Sequence, residues 1–309
     1  MNRPSLQRAS VRVPCSTSNL GAGFDCIGLA LDRFLDVTFE PGAGPLHVER
    51  EGTLATLRAA AGDDAVVRAF TASLHARGTP EPAGRLRMTS EIPVARGLGS
   101  SAAATVAGLL LADVALGQTP DRTALLAAAT RIEGHPDNAA PSLFGGLVGI
   151  AGDGDAPHAF PLTLAPRLAF AWAAPPVEVA TPYARRVLPA TVSHATAVRS
   201  LARLTALIQG LATADPVLLR IGFTDELHVP HRLPLIPGAA AAMEAARERG
   251  AFAATISGSG SGLIAVCPAG RERDVAGAMA TAFSTTSAGN AGVIAFPAYP
   301  SMRGAEVIT

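Results

Sequence analysis

The spacing of apolar and polar positions changes several times along the chain, and each change predicts an element. Residues 11–14 form a short strand entering a glycine-rich loop, and 34–40 (FLDVTFE) alternate as a strand does. Residues 63–77 carry Ala65, Val66, Ala69, Phe70 and Leu74 at helical spacing, with acids at the start. Residues 85–92 (RLRMTSEI) predict another strand, closed by Pro93. A run of strong helix formers fills 102–116, and Gly117 and Pro120 end it. A second helix is predicted over 122–132 and a strand over 145–150. The polar, Gly- and Pro-rich 152–161 (GDGDAPHAFP) is predicted as a linker.

Beyond it the pattern predicts a strand over 167–173, a long helix over 193–211 and a helix over 238–249 ended by Gly250. Strands over 252–256 and 263–267 flank SGSGSG; a helix over 271–283 and a strand over 293–296 follow. The mixed order predicts an α+β protein of two lobes, 1–155 and 156–309.

Composition supports a packed protein: 49% hydrophobic against 16% charged residues, with aromatics at only 5%, so small aliphatics must fill the core. Formal net charge is zero, which argues against nucleic-acid binding. All 25 basic Lys or Arg positions are Arg. The absent lysine excludes a Walker A loop, a protein-kinase strand lysine and a Schiff base. Cys15, Cys26 and Cys267 show no paired spacing and fit a reducing compartment. The start, MNRPSLQRAS, has no apolar signal core, and the apolar run 102–112 is too short to span a bilayer. A soluble, cytoplasmic protein is expected.

The chemistry concentrates in six strings. Residues 93–103 read PVARGLGSSAA, a glycine turn running into the predicted helix. Glycines allow close backbone approach, and a helix start offers free N–H groups and a positive dipole end, together an anion site suited to a triphosphate. Without its flanks, GLGSS is equally a serine cap on an ordinary turn. Residues 13–25 (VPCSTSNLGAGFD) include Asn19 and Asp25, which alone also read as turn formers. In 133–141 (EGHPDNAAP), Glu133 and His135 alone read as a solvated carboxylate and a loop histidine. Arg185 in 181–185 (TPYAR) and Arg232 in 225–232 (DELHVPHR) are individually ordinary solvated arginines, and 257–262 (SGSGSG) is a hairpin turn.

Taken in order, these strings resemble the motifs of the GHMP kinase superfamily, in the form found in its homoserine kinases, over residues 11–262. The resemblance implies the two-lobed GHMP kinase fold, with a ribosomal S5 domain 2-like N-terminal lobe and a ferredoxin-like C-terminal lobe. It implies ATP held by Pro93, Arg96, Gly97, Leu98, Gly99, Ser100, Ser101 and Ala102, with Asp64 on the base side. There this chain has Asp64-Ala65-Val66 where the family often has Asn-Leu-Val. It implies Mg²⁺ on Ser101 and Glu133, and L-homoserine held by Asn19, Asp25, His135, Asn138, Thr181, Arg185, Arg232 and Gly260.

Asn19, Asp25, Ser101 and Glu133 then stand at the reaction centre. Arginines suit the substrate carboxylate and Asp25 its ammonium, so Asp25 is expected to bind rather than act as a base. Phosphorylation of L-homoserine to O-phospho-L-homoserine, a step of threonine biosynthesis, follows, and so does a homodimer. Ser261 replaces the family's proline in the third motif, and that loop is expected to be more mobile. Three other readings compete: a GHMP kinase for another alcohol, an ATP-binding regulator without catalysis and, last, a structural interaction protein, which ignores the phosphate loop. ADP release with a panel of amino and hydroxy acids separates them.

Overall fold

The computed structural model describes residues 6–58, 60–152, 156–286 and 292–308. Strand β1 (Ala9–Ser18) pairs antiparallel with the long β2 (Ile27–Pro41), with a register shift at Pro14/Cys15. β3 (His47–Gly52), which no period in the sequence predicts, precedes helix α1 (Ala65–Ala76) and strand β4 (Gly84–Ser90). Then come α2 (Ser100–Ala115), α3 (Arg122–Glu133), the short α4 (Ala139–Phe144) and β5 (Leu147–Ala151). β6 (His158–Leu162) follows and pairs with β5. The predicted linker is corrected here. Its second half is a strand of the first sheet, because it pairs antiparallel with β5 although its own residues bury little. The 155/156 lobe boundary adjoins 153–155, outside the described residues.

The second half contains β7 (Leu168–Ala174), α5 (Thr181–Arg186), α6 (His194–Thr213), α7 (Pro216–Gly222) and α8 (Val229–Arg232). α9 (Ala239–Glu248), β8 (Ala253–Ile256), β9 (Leu263–Pro268), α10 (Glu272–Thr286), β10 (Ile294–Ala298) and β11 (Glu306–Val307) complete it. The helices α4, α5, α7 and α8 had no predicted counterpart; each is too short to show a helical period.

Among the described residues the first sheet runs β11-β1-β2-β4-β3, with β5 and β6 attached through β2. The end of the chain therefore returns to the first sheet. The second sheet runs β10-β7-β9-β8, all antiparallel. β7 shows why it lies between two cores. Phe170 and Trp172 join the large core with β1, β2 and α2, while Ala169, Ala171 and Ala173 face the smaller core of α9 and α10. Period-two alternation sends large and small residues to opposite faces. Large side chains fill the distance to the first lobe, and alanines let two helices approach.

α2 is buried on nearly all sides, which its Ala- and Leu-rich sequence allows. Phe39 of β2 and Phe70 of α1 meet at 5.1 Å between centroids with planes 58° apart. Such a tilted pair adds about 1 kcal/mol to its area burial and holds α1 against the sheet. Two capping interactions then fix the helices that border the site. Asp64 accepts from the backbone N–H groups of Val66 and Val67, and Asp121 from those of Thr123 and Ala124.

Candidate active site

Three stretches distant in sequence are joined around the start of α2. The N–H of Ser16 donates to Leu98 O at 3.2 Å, and the N–H of Gly262 donates to Arg96 O at 3.2 Å. Ser257 Oγ donates to Gly97 O at 2.6 Å and lies 2.8 Å from Thr17 Oγ1. These bonds hold the glycine turn between the end of β1 and the 257–262 loop. The turn itself requires glycine. Gly97 has φ +74°, and a Cβ there would lie 2.1 Å from Ser257 O. Gly99 has φ +60°, and its Cβ would lie 2.5 Å from Ser16 Oγ.

The turn lines a cavity of about 380 Å³. Its lining includes apolar Leu54, Leu57, Val66 and Val94, the turn residues Gly97, Gly99, Ser100, Ser101 and Ala102, and the polar Glu133, His135, Asn138 and Thr181 with Gly258–Gly260. Ser101 Oγ donates to Glu133 Oε1 at 3.0 Å, and Thr105 Oγ1 donates to the same oxygen at 2.6 Å. Asp64 lines the cavity, yet its side chain is committed: besides capping α1, it accepts from Arg50 Nε at 3.0 Å.

His135 Nδ1 lies 2.6 Å from Asp137 Oδ1. Burial works to lower the His135 value, but the Asp137 hydrogen bond and charge outweigh it and leave it raised. Burial likewise works to raise Asp137, and the bonds from His135 and Ser18 hold it below the ordinary range. Asn138 Nδ2 donates to Ser18 Oγ at 2.9 Å, and its Oδ1 accepts from Ser16 Oγ at 3.1 Å.

Beyond the 257–262 loop lies a charged group. Asn19 and Asp25 both adopt left-handed backbone, at φ +61° and +56°. Asn19 Oδ1 accepts from the Asp25 N–H at 2.9 Å, and its Nδ2 donates to Gly258 O at 2.9 Å. Asp25 in turn receives two bonds from Arg185, at 3.0 and 2.8 Å. Arg232 is buried; it donates to Ala184 O at 3.1 Å and Gly258 O at 3.3 Å, and its guanidinium lies 5.2 Å from the Phe24 ring centre. Burial and the nearby Arg185 charge lower its value. Phe24 stacks on the buried His228 at 5.0 Å.

Two family descriptions match stretches of the chain that hold the glycine turn, Glu133 and Arg232. GHMP kinases N terminal domain covers residues 64–146, and GHMP kinases C terminal covers residues 207–285. The homoserine kinase of Moorella thermoacetica is 43% identical over 277 residues, 89% of this chain and 92% of the other. That of Thermus thermophilus is 41% identical, over 85% and 88%. The chain belongs to the homoserine kinase family of GHMP kinases.

Solved structures agree. The homoserine kinase from Cytophaga hutchinsonii superposes with a TM-score of 0.84 at 28% identity, covering 100% of this chain and 99% of that one. The L. major mevalonate kinase in complex with R-mevalonate, at 15% identity and TM-score 0.70, shares the fold, covering 97% of this chain and 99% of that chain.

Of the family positions singled out in the sequence, Gly97, Gly99, Ser100, Ser101, Ala102, Asp64, Glu133, His135, Asn138, Thr181 and Gly260 line the cavity. Pro93, Arg96 and Leu98 do not; Leu98 turns its side chain into the core, and Arg96 approaches Glu178 at 3.6 Å. Asn19, Asp25, Arg185 and Arg232 do not line the cavity; Asn19 and Arg232 donate to the O of Gly258, which does, and Asp25 joins them through its bonds with Asn19 and Arg185. The Ser261 hydroxyl donates to Val177 O, so the serine that replaces the family's proline fastens its loop.

Sequence reading missed Thr105, Ser18 and Asp137. Thr105 carried a usable signal, standing four residues after Ser101 and hence on the same helix face. Asp137 stands two residues from its partner His135, inside the string 133–141. Ser18 carried no signal, because its bond from Asn138 joins segments more than a hundred residues apart.

Proposed function

We propose that this chain transfers the γ-phosphoryl group of ATP to the side-chain hydroxyl of L-homoserine, giving O-phospho-L-homoserine in threonine biosynthesis. One observation carries the reading. In a chain without lysine, a glycine–serine turn starting a helix shares its cavity with a carboxylate, and an acid and two arginines stand across one backbone loop from it.

The adenine side belongs at Leu54, Leu57, Val66 and Val94, where the cavity is apolar. The phosphates belong at residues 97–101, where the start of α2 offers N–H groups and its dipole. The donor set suits Mg²⁺. Ser101 and Glu133 give a hydroxyl and a carboxylate oxygen, and no cluster of three or more His, Cys, Asp or Glu forms a cage among the described residues. Mg²⁺ typically takes one or two protein oxygens and completes its shell with phosphate and water. When bound, the ion neutralises charge on the phosphate oxygens. Glu133 would hold it, Ser101 would share it, and Thr105 orients the Glu133 carboxylate.

Homoserine is a zwitterion. Asp25 takes its ammonium, Arg185 and Arg232 its carboxylate, and His135, Asn138, Thr181 and Gly260 border the hydroxyl end. Asp25 is given to the ammonium and not to the hydroxyl, so catalysis by the chain is positioning and charge placement. A cytoplasmic location and a homodimer belong to the same reading through family resemblance. The test is ADP release with a panel of amino and hydroxy acids. Fast turnover with L-homoserine alone is expected; equal turnover with a simple hydroxy acid, or nucleotide binding without turnover, defeats the proposal.

A further inference from the structure

Asp25 and Arg185 are already each other's ligand. Two guanidinium nitrogens donate to two carboxylate oxygens at 3.0 and 2.8 Å, using the full fork of both groups. Neither is then open to a ligand of opposite charge. An α-amino acid carries the same two charges on one carbon: an ammonium that can replace the guanidinium at Asp25, and a carboxylate that can replace Asp25 at Arg185.

We propose that the Asp25–Arg185 pair is a self-blocking contact that selects zwitterions, because a ligand enters by exchanging both halves of the pair. This rests on the amino-acid substrate proposed above and adds how the site rejects near relatives of it. A ligand with one charge opens the pair but leaves one partner unmatched.

The surroundings favour this exchange. Asp25 is held by the Asn19 bond to its N–H, whereas Arg185 sits in the last turn of a six-residue helix on a long flexible side chain. The pair is about one-third exposed on both sides, so water and ligand reach it. The other charged groups facing Arg185 are the buried Arg232 on α8, and His135 and the buried Asp137 before α4. Separating the pair without a replacement anion leaves Arg185 and Arg232 facing each other with less negative charge between them. A carboxylate arriving with an ammonium restores the balance; an amine alone does not.

The test is calorimetric binding to the full chain without nucleotide, using L-homoserine, 4-hydroxybutyrate, which lacks the ammonium, and 3-amino-1-propanol, which lacks the carboxylate. Competition makes an uncommon demand. Arg185→Gln frees Asp25, so 3-amino-1-propanol should bind roughly ten-fold tighter than to the unaltered chain, while homoserine binds more weakly. Asp25→Asn frees Arg185, and 4-hydroxybutyrate should gain by a similar factor. Independent, ready-made subsites would give no gain in either case.

Single-charge probes that bind folded variants no tighter than the unaltered chain overturn the proposal. Circular dichroism checks folding, and if one variant does not fold the other still reads the competition. Failure of the homoserine assignment shows separately, as no ADP release by the unaltered chain with homoserine.

Discussion

Ser101 Oγ donates to Glu133 Oε1 at 3.0 Å, joining the first turn of α2 to the last residue of α3. Glu133 thus sits at a negative helix end, where a carboxylate is disfavoured unless donors or a cation compensate. Ser101 and Thr105 supply two donors, and the proposed metal supplies the cation.

Ser101→Ala and Glu133→Gln should each raise the Mg²⁺ concentration for half-maximal activity by roughly a hundred-fold or more. Thr105→Val, which removes only the orienting bond, should raise it roughly ten-fold. Activity titrated with Mg²⁺ measures all three. Unchanged Mg²⁺ dependence in both Ser101→Ala and Glu133→Gln dismisses the metal assignment.

Asp64 separates structure from nucleotide binding. Asp64→Ala removes the α1 cap and leaves Arg50 without its carboxylate, a loss of about 2–3 kcal/mol by urea unfolding. The KM for ATP should change less than about three-fold, since the side chain is already engaged in those bonds. Full stability with a large rise in KM for ATP would instead make Asp64 a base contact.

Gly97→Ala should be among the most damaging single-methyl changes. The new Cβ would meet the Ser257 carbonyl at 2.1 Å on a backbone of positive φ. The turn must shift away from the 257–262 loop, at a cost of about 2–4 kcal/mol. Loss of ATP binding should accompany the loss of stability; a variant with ordinary unfolding and ordinary ATP affinity contradicts the close approach.

Burial pushes His228 down to about 4, with the Arg232 charge adding to it and Asp225 opposing. A histidine depressed in the folded state is protonated more easily when unfolded. Its contribution is therefore whole above the unfolded value of about 6.5 and is lost as pH falls towards 4. Between pH 6.5 and 5 the loss should be about 2 kcal/mol. His228→Phe, which keeps a ring against Phe24, should flatten that slope in urea unfolding at the two pH values. An equal slope in both proteins refutes the assignment to His228.

The longer elements could be read from sequence because their own side chains carry the period. The α2 prediction began two residues late, since Ser100 and Ser101 are helical but look like turn. β6 was read as linker and β3 was missed. Their residues are mostly exposed and show little alternation, and only pairing with β5 and β4 makes them strands. At the site, the glycine–serine turn, Glu133 and Asp25 were visible because each sits in a contiguous string.

The sequence alone determined what depends on neighbours in the chain: the periods of the main helices and strands, the glycines that only a positive-φ turn explains, the absence of lysine and the family motifs in order. Tertiary structure decided which of those groups act on each other. Asp25 and Arg185 each suit a substrate charge by sequence, and a separation of 160 positions hid that they hold one another. The Arg50–Asp64 pair was hidden because β3, which carries Arg50, shows no period of its own. A side-chain contact across distant segments depends on how sheets and helices pack, and no local period records that packing.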